Sequence, residues 1–111
     1  MIEAAQVTPA TFVVTARGDL ADNSSIELRD LLFPLVAADD SFVVLDLLGV
    51  HDLDDATLGV VLSAAHMLER RWRRLTIVAA GRRLTELAYA SGLDRIATLE
   101  RSLAAGLGHA H

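Results

Sequence analysis

The densest set of chemistry-bearing residues is Val50-His51-Asp52-Leu53-Asp54-Asp55-Ala56-Thr57-Leu58-Gly59, an acidic turn running into an apolar-periodic segment. Asp54 or Asp55 can cap a helix that begins here, accepting hydrogen bonds from the free N–H groups of its first turn. Those donors and the helix dipole also favour a phosphoryl group, so the turn can serve as a docking or phosphorylation surface. With Asp46, the acids Asp52, Asp54 and Asp55 have the oxygen chemistry that Mg²⁺ takes. Nothing in their spacing makes them converge octahedrally, so a solvated acidic rim is the simpler reading and no metal is assigned.

Other chemistries find less support. His51 and His66 are fifteen residues apart and His109 and His111 lie in the tail, so no pair has the i, i+4 spacing of a helical zinc site. There is no cysteine, which excludes disulfides, iron–sulfur clusters and thiolate zinc sites. All ten basic residues are arginine. Without a lysine, Schiff-base chemistry, a phosphate-loop lysine and the lysine of phosphorelay receivers are excluded. Ser63 lacks a Gly-x-Ser-x-Gly frame, and no nucleophile–base set, Gly-rich phosphate loop or nucleotide fingerprint is present. The chain therefore reads as a protein without enzymatic activity and without a cofactor. Arg70, Arg71, Arg73 and Arg74 surround Trp72, a pattern that nucleic-acid readers use. Cations at a helix C-terminus that complement its dipole, with Trp72 continuing a core stripe, are the simpler account. The net charge of -5 also argues against unspecific nucleic-acid binding.

The elements that must position these residues follow from periodicity. Met1 to Val7 reads as an edge strand, turned at Thr8-Pro9-Ala10 into a second strand over 11–17 that stops at Gly18. Ser24 to Glu27 has capping-box spacing, and Leu28, Leu31, Leu32, Leu35 and Val36 form one helical stripe. Pro34 lies inside that stripe and is expected to kink the helix or end it near Phe33. Phe42 to Leu48 is apolar without alternation, the mark of a central strand covered on both faces. A second helical stripe runs from Leu58 to Trp72, followed by a buried strand over 75–80. A third helix contains Leu84, Leu87 and Ala88 and stops at Gly92. A short strand over 96–99 and a helix from Arg101 to about Leu107 complete the chain. This alternation predicts one α/β domain over residues 1–108, with a mixed, mostly parallel sheet of four to five strands and about four helices. Residues 109–111 are expected to fray. With 111 residues, 52% of them apolar, and no run of ~20 apolar residues to span a bilayer, the product is expected to be a compact cytoplasmic domain without membrane insertion.

Leu53-Asp54-Asp55-Ala56-Thr57-Leu58-Gly59-Val60-Val61-Leu62 resembles the signature of the sulfate-transporter and anti-sigma-factor-antagonist (STAS) domain. That family shows Asp-Ser-Ser/Thr-Gly-Leu-Gly before an apolar helix, after a buried strand like Val44-Leu45-Asp46-Leu47. Gly18-Asp19-Leu20 resembles the Gly-Glu/Asp-Leu ending the family's second strand, and Ser91-Gly92-Leu93 its Ser-Gly-Leu after the third helix. The three fragments occur in the family's order over nearly the whole chain.

The resemblance implies a stand-alone anti-sigma factor antagonist that sequesters an anti-sigma factor of the serine-kinase type and so frees a sigma factor for transcription. It implies a contact surface formed by Asp54, Asp55, Ala56, Thr57 and Leu58 with the Gly18–Asp22 loop, including Gly18, Asp19 and Asp22. The departures concern the switch. Asp55 stands where the family's acceptor serine would be, Ala56 at the second hydroxyl position, Thr57 where glycine is usual, and Ala21 where many members are acidic. Phosphorylation at the usual serine is therefore impossible, and Asp55 reads either as a fixed partial phosphomimic or as a residue the partner accommodates. Thr57 is the candidate substitute acceptor, with a hydroxyl of the first helical turn as its simpler role. Two alternatives follow from the same resemblance: an accessory subunit on the ATPase of a membrane ABC transporter, and a non-switching scaffold. A homo-oligomer is left open.

Overall fold

A computed structural model describes residues 1–18, 20 and 23–109. Strand β1 (Ile2–Thr8) and strand β2 (Thr11–Arg17) form the expected antiparallel hairpin. Helix α1 (Ser24–Ala37), strand β3 (Phe42–Gly49), helix α2 (Asp55–Glu69) and strand β4 (Leu75–Val78) follow. Helix α3 (Arg82–Ser91), the single turn α4 (Leu93–Ile96), strand β5 (Ala97–Glu100) and helix α5 (Leu103–Leu107) complete the order. The sheet runs β1-β2-β3-β4-β5, with every pair after the hairpin parallel. It is thus the expected mixed, mostly parallel sheet; the described residues form five strands and five helices, one helix more than expected because of the short turn α4.

Strand β3 lies at the centre, and alternation divides its side chains between two cores. Val43, Leu45 and Leu47 face Leu28, Leu32 and Val36 of α1 and Val61, Ala65 and Leu68 of α2 in the larger core. Val44 turns the other way, joining Val13 and Val78 beneath Leu103 and Leu107 of α5. This double cover is why the sequence of β3 does not alternate. Helix α5 approaches the sheet closely because Gly106 leaves room: a Cβ there would lie 2.9 Å from a Val78 methyl.

Four expectations are corrected. Pro34 does not end α1, which continues to Ala37. Leu28, Leu32 and Val36, all fully buried, hold both sides of the proline on the sheet, and Pro34 itself sits on the exposed face. The capping box does not form: Asn23, with φ 76°, is the N-cap without a side-chain cap bond, and Ser24 is buried inside the first turn. Trp72 does not extend the α2 stripe. The helix stops at Glu69, and Trp72 takes φ 61° and is 97% exposed. The short turn α4, set off by Gly92 at φ 81°, replaces the start of the expected last strand.

The arginines around Trp72 bind backbone carbonyls. Arg71 donates to Ala37 O at 2.9 Å and to Asp39 Oδ1 at 2.8 Å, and Arg74 donates to Ala97 O at 2.9 Å. They tie the end of α2 to the end of α1 and to β5. In the terminal tail, His109 Nε2 lies 2.8 Å from Glu100 Oε2, while residues 110 and 111 lie outside the described residues. Replacing Gly106 by leucine is expected to lift α5 from the sheet and destabilise the domain by ~1–3 kcal/mol, the usual cost of overpacking. Denaturant unfolding would show it, and an unchanged midpoint would mean that α5 does not seat against Val78.

Candidate protein-docking site

The site is built at the C-terminal end of β3. Asp46 is buried, and its Oδ1 accepts from the Leu48 N–H at 3.0 Å, so its carboxylate turns back onto its own strand. Val50 N–H donates to Leu47 O at 3.0 Å as the chain leaves the sheet. Leu53 is then buried and pins the turn to the core, leaving His51, Asp52 and Asp54 exposed around it. Asp52 Oδ1 accepts from the Leu53 N–H at 2.8 Å and from Arg83 Nε at 3.1 Å. That ion pair is half exposed and adds little stability. Its effect is positional, linking the turn to the first turn of α3.

Of the two capping candidates, Asp54 is the N-cap, with extended backbone and its Oδ1 accepting from the Thr57 N–H at 2.7 Å. The nearby Thr57 hydroxyl and then this amide bond favour the anion and hold the Asp54 carboxyl below its ordinary value of 3.8. Asp55 is the first helical residue and is exposed beside Ala56, with Leu58 half-buried.

Thr57 departs from expectation. It is fully buried, and its Oγ1 finds no hydrogen-bond partner of acceptable geometry. A partner approaching the turn meets Asp54, Asp55, Ala56 and Leu58 but not Thr57, and in this conformation its hydroxyl is out of reach of a kinase. The role of a first-turn hydroxyl suits its position better than that of a substitute acceptor. Its burial follows from its place one position before Leu58 and four before Val61, on the flank of α2 that meets the sheet.

The second half of the expected surface lies alongside. Gly18, at φ 75°, donates its N–H to Gly49 O at 2.9 Å, which fixes the end of β2 beside the end of β3. Gly18, Leu20, His51, Asp52, Leu53 and Asp54 line one open depression. Gly18 and Leu20 after β2 and the turn before α2 therefore line one depression. Asp19 and Asp22 lie outside the described residues. Leu20 belongs to the loop, and His51, Asp52 and Leu53 to the acidic turn, that the sequence singled out; Arg83, thirty-one residues from Asp52, is the member of the site that no sequence signal marked. Among the described residues no group of three or more histidine or acidic side chains could hold a metal ion.

The model of the STAS domain matches residues 3–106. The chain belongs to the STAS domain family. No curated protein matches it by sequence. Among solved structures it is similar to an anti-sigma factor antagonist from Mycobacterium paratuberculosis, with 21% identity, a TM-score of 0.81, and coverage of 99% of this chain and 94% of that one. It is similar to Bacillus SpoIIAA in the phosphorylated form, with 15% identity, a TM-score of 0.80 and both chains fully covered. A serine-to-glutamate variant of RsbS from Moorella thermoacetica gives 19% identity, a TM-score of 0.80, and coverage of 98% and 93%. At these identities the likeness is one of fold, the STAS fold. Among the described residues no helix is long and apolar enough to cross a membrane.

Two outcomes test the geometry of the turn. Because the folded Asp54 carboxyl titrates below its unfolded value, its stabilisation is fully present above about pH 3.8 and is lost as pH falls through the lowered folded value. Asp54→Ala is therefore expected to melt lower than the parent at neutral pH, the gap closing on acidification below that window. A gap independent of pH would show that the charge of the cap contributes nothing. Thr57→Val removes the buried hydroxyl beside Asp54 and is expected to let the Asp54 carboxyl rise toward its ordinary value of 3.8. An unchanged Asp54 titration would show that this hydroxyl does not favour the anion and that the Thr57 N–H bond acts alone.

Proposed function

We propose that this STAS domain is an anti-sigma factor antagonist, a binding module that sequesters an anti-sigma factor of the serine-kinase type and so frees a sigma factor for transcription. The observation that carries this reading is the exposed first turn of α2. Asp55 and Ala56 stand in solvent there beside the Asp54 cap, and Asp54 shares an open depression with Gly18 and Leu20. Asp54, Asp55, Ala56 and Leu58 would form one half of the contact, and the Gly18–Asp22 loop, with Asp19 and Asp22, the other. The likeness of the fold to anti-sigma factor antagonists supports the same role.

On this reading the chain does no chemistry and acts by mass action. Asp55 takes the place of the family's phosphoacceptor serine and supplies a constant charge of one, where phosphoserine would carry about -1.5 to -2. The partner therefore meets one charge state and switching by phosphorylation at this position is lost. Control then belongs to the partner or to the amount of this protein.

The test is affinity capture from lysate of the source organism, solubilised membrane included, with the parent chain and with Ala56→Arg. Ala56 is exposed, so the substitution enlarges the docking surface without entering the core. The parent is expected to retain a kinase-type anti-sigma factor, and Ala56→Arg to lose at least about tenfold of it while melting as the parent does. Capture of a transporter ATPase with its membrane subunit would replace this reading with the accessory-subunit one. Unchanged capture by Ala56→Arg would move the contact elsewhere. With the captured kinase and ATP, Asp55→Ser is expected to become phosphorylated while the parent does not. A kinase active on another substrate that leaves Asp55→Ser unmodified would contradict the equivalence of Asp55 with the acceptor position.

A further inference from the structure

Behind the docking turn, the larger core is incompletely filled. A mostly apolar cavity of about 140 Å³ lies under α3, walled by Leu47, Leu58, Ile77, Leu87 and Leu99, with Thr85 and Glu100 also in its lining. It exists because α3 seats on the sheet through only two buried residues, Leu84 and Ala88, and because the residues at 79 and 88 facing the space are both alanine. Apolar cavities of ~150 Å³ stay dry and accept a benzene-sized guest. This one is not sealed: Tyr89 and Arg101, both exposed, border it.

The chemistry of that border selects a ligand. Arg101 has no hydrogen-bond or ion-pair partner among the described residues. Leu99 of β5 lines the cavity. Arg101, in the bend that follows β5, lines the cavity directly. A free guanidinium therefore stands beside a mostly apolar space of aromatic-ring size; Glu100 also lines that space, with its carboxylate held by His109 at 2.8 Å.

We propose that this cavity is a binding site for a small monocarboxylate with an apolar or aromatic body, the body lodged under α3 and the carboxylate on Arg101. The site is separate from the docking surface, yet Leu53 and Leu58 belong to its walls as well as to the turn and first helical residues of that surface. A bound ligand would thus lie directly behind the docking residues, and the assignment stands whatever partner they bind.

The experiment is an amide-resonance titration of the full chain with benzoate and with hexanoate, using benzyl alcohol as the neutral comparator. Saturable shifts centred on Leu47, Leu87, Leu99 and Arg101 are expected for both carboxylates. Arg101→Gln is expected to weaken benzoate about fivefold, the scale of a solvent-facing ion pair, and to leave benzyl alcohol unchanged. Ala88→Leu, which fills the space, is expected to abolish binding of all three; Leu87→Phe provides a second filling variant should the first fail to fold. Absence of saturable shifts at the cavity would overturn the site. Benzyl alcohol binding as tightly as benzoate, or benzoate unaffected by Arg101→Gln, would overturn the carboxylate assignment.

Discussion

Everything in this domain hangs on a strand that is buried on both faces. Because β3 pairs in parallel with β2 and β4, each of its side chains must enter one of two cores, and none of the positions from Val43 to Leu47 can be spared for solvent. Even Asp46 within that run is satisfied by its own strand, through the Leu48 N–H. The consequence is mechanical. A strand so held delivers its C-terminal end at a fixed place, and the functional turn begins where the sheet's hydrogen bonding stops.

From that end the construction passes to polar interactions. Leu53 anchors the turn in the core, Asp54 closes the first turn of α2, and Arg83 holds Asp52 from the neighbouring helix. None of these bonds is strong in water, but each removes a freedom from the same few residues. What is left free is Asp55 and Ala56, the two side chains that a partner would meet first. The frame leaves Asp55 and Ala56 exposed at one helix start, and the proposed docking role rests on that exposure.

Most of the architecture could be read from the sequence because the apolar pattern alone decides it. The unbroken run from Phe42 to Leu48 demanded a doubly covered strand, β2 ended at a glycine that the backbone requires, and Gly92 closed α3 in the left-handed conformation. The misreadings share a cause: local rules lost to tertiary context. Pro34 obeys its rule in an isolated helix, but three leucine and valine side chains buried around it keep α1 intact. Asn23 displaced Ser24 as the cap, and Trp72 left the stripe once α2 had ended. In the candidate site, the resemblance to the STAS family is what put Gly18 and Asp54 on one surface, and the parallel pairing of β2 with β3 is what sets them side by side. The burial of Thr57 was not legible, because only the rotation of α2 about its axis decides which first-turn residue faces the sheet.

On the proposed reading, the Asp55 carboxylate at the start of α2 leaves affinity for the partner independent of phosphorylation at that position. The most direct test of that account is hydrogen exchange on the complex with the captured partner. Protection confined to the Gly18–Asp22 loop and to Asp54 through Leu58 is the predicted footprint. Protection centred on Trp72 and the arginines at the far end of α2, with the Asp54 turn unchanged, would contradict it.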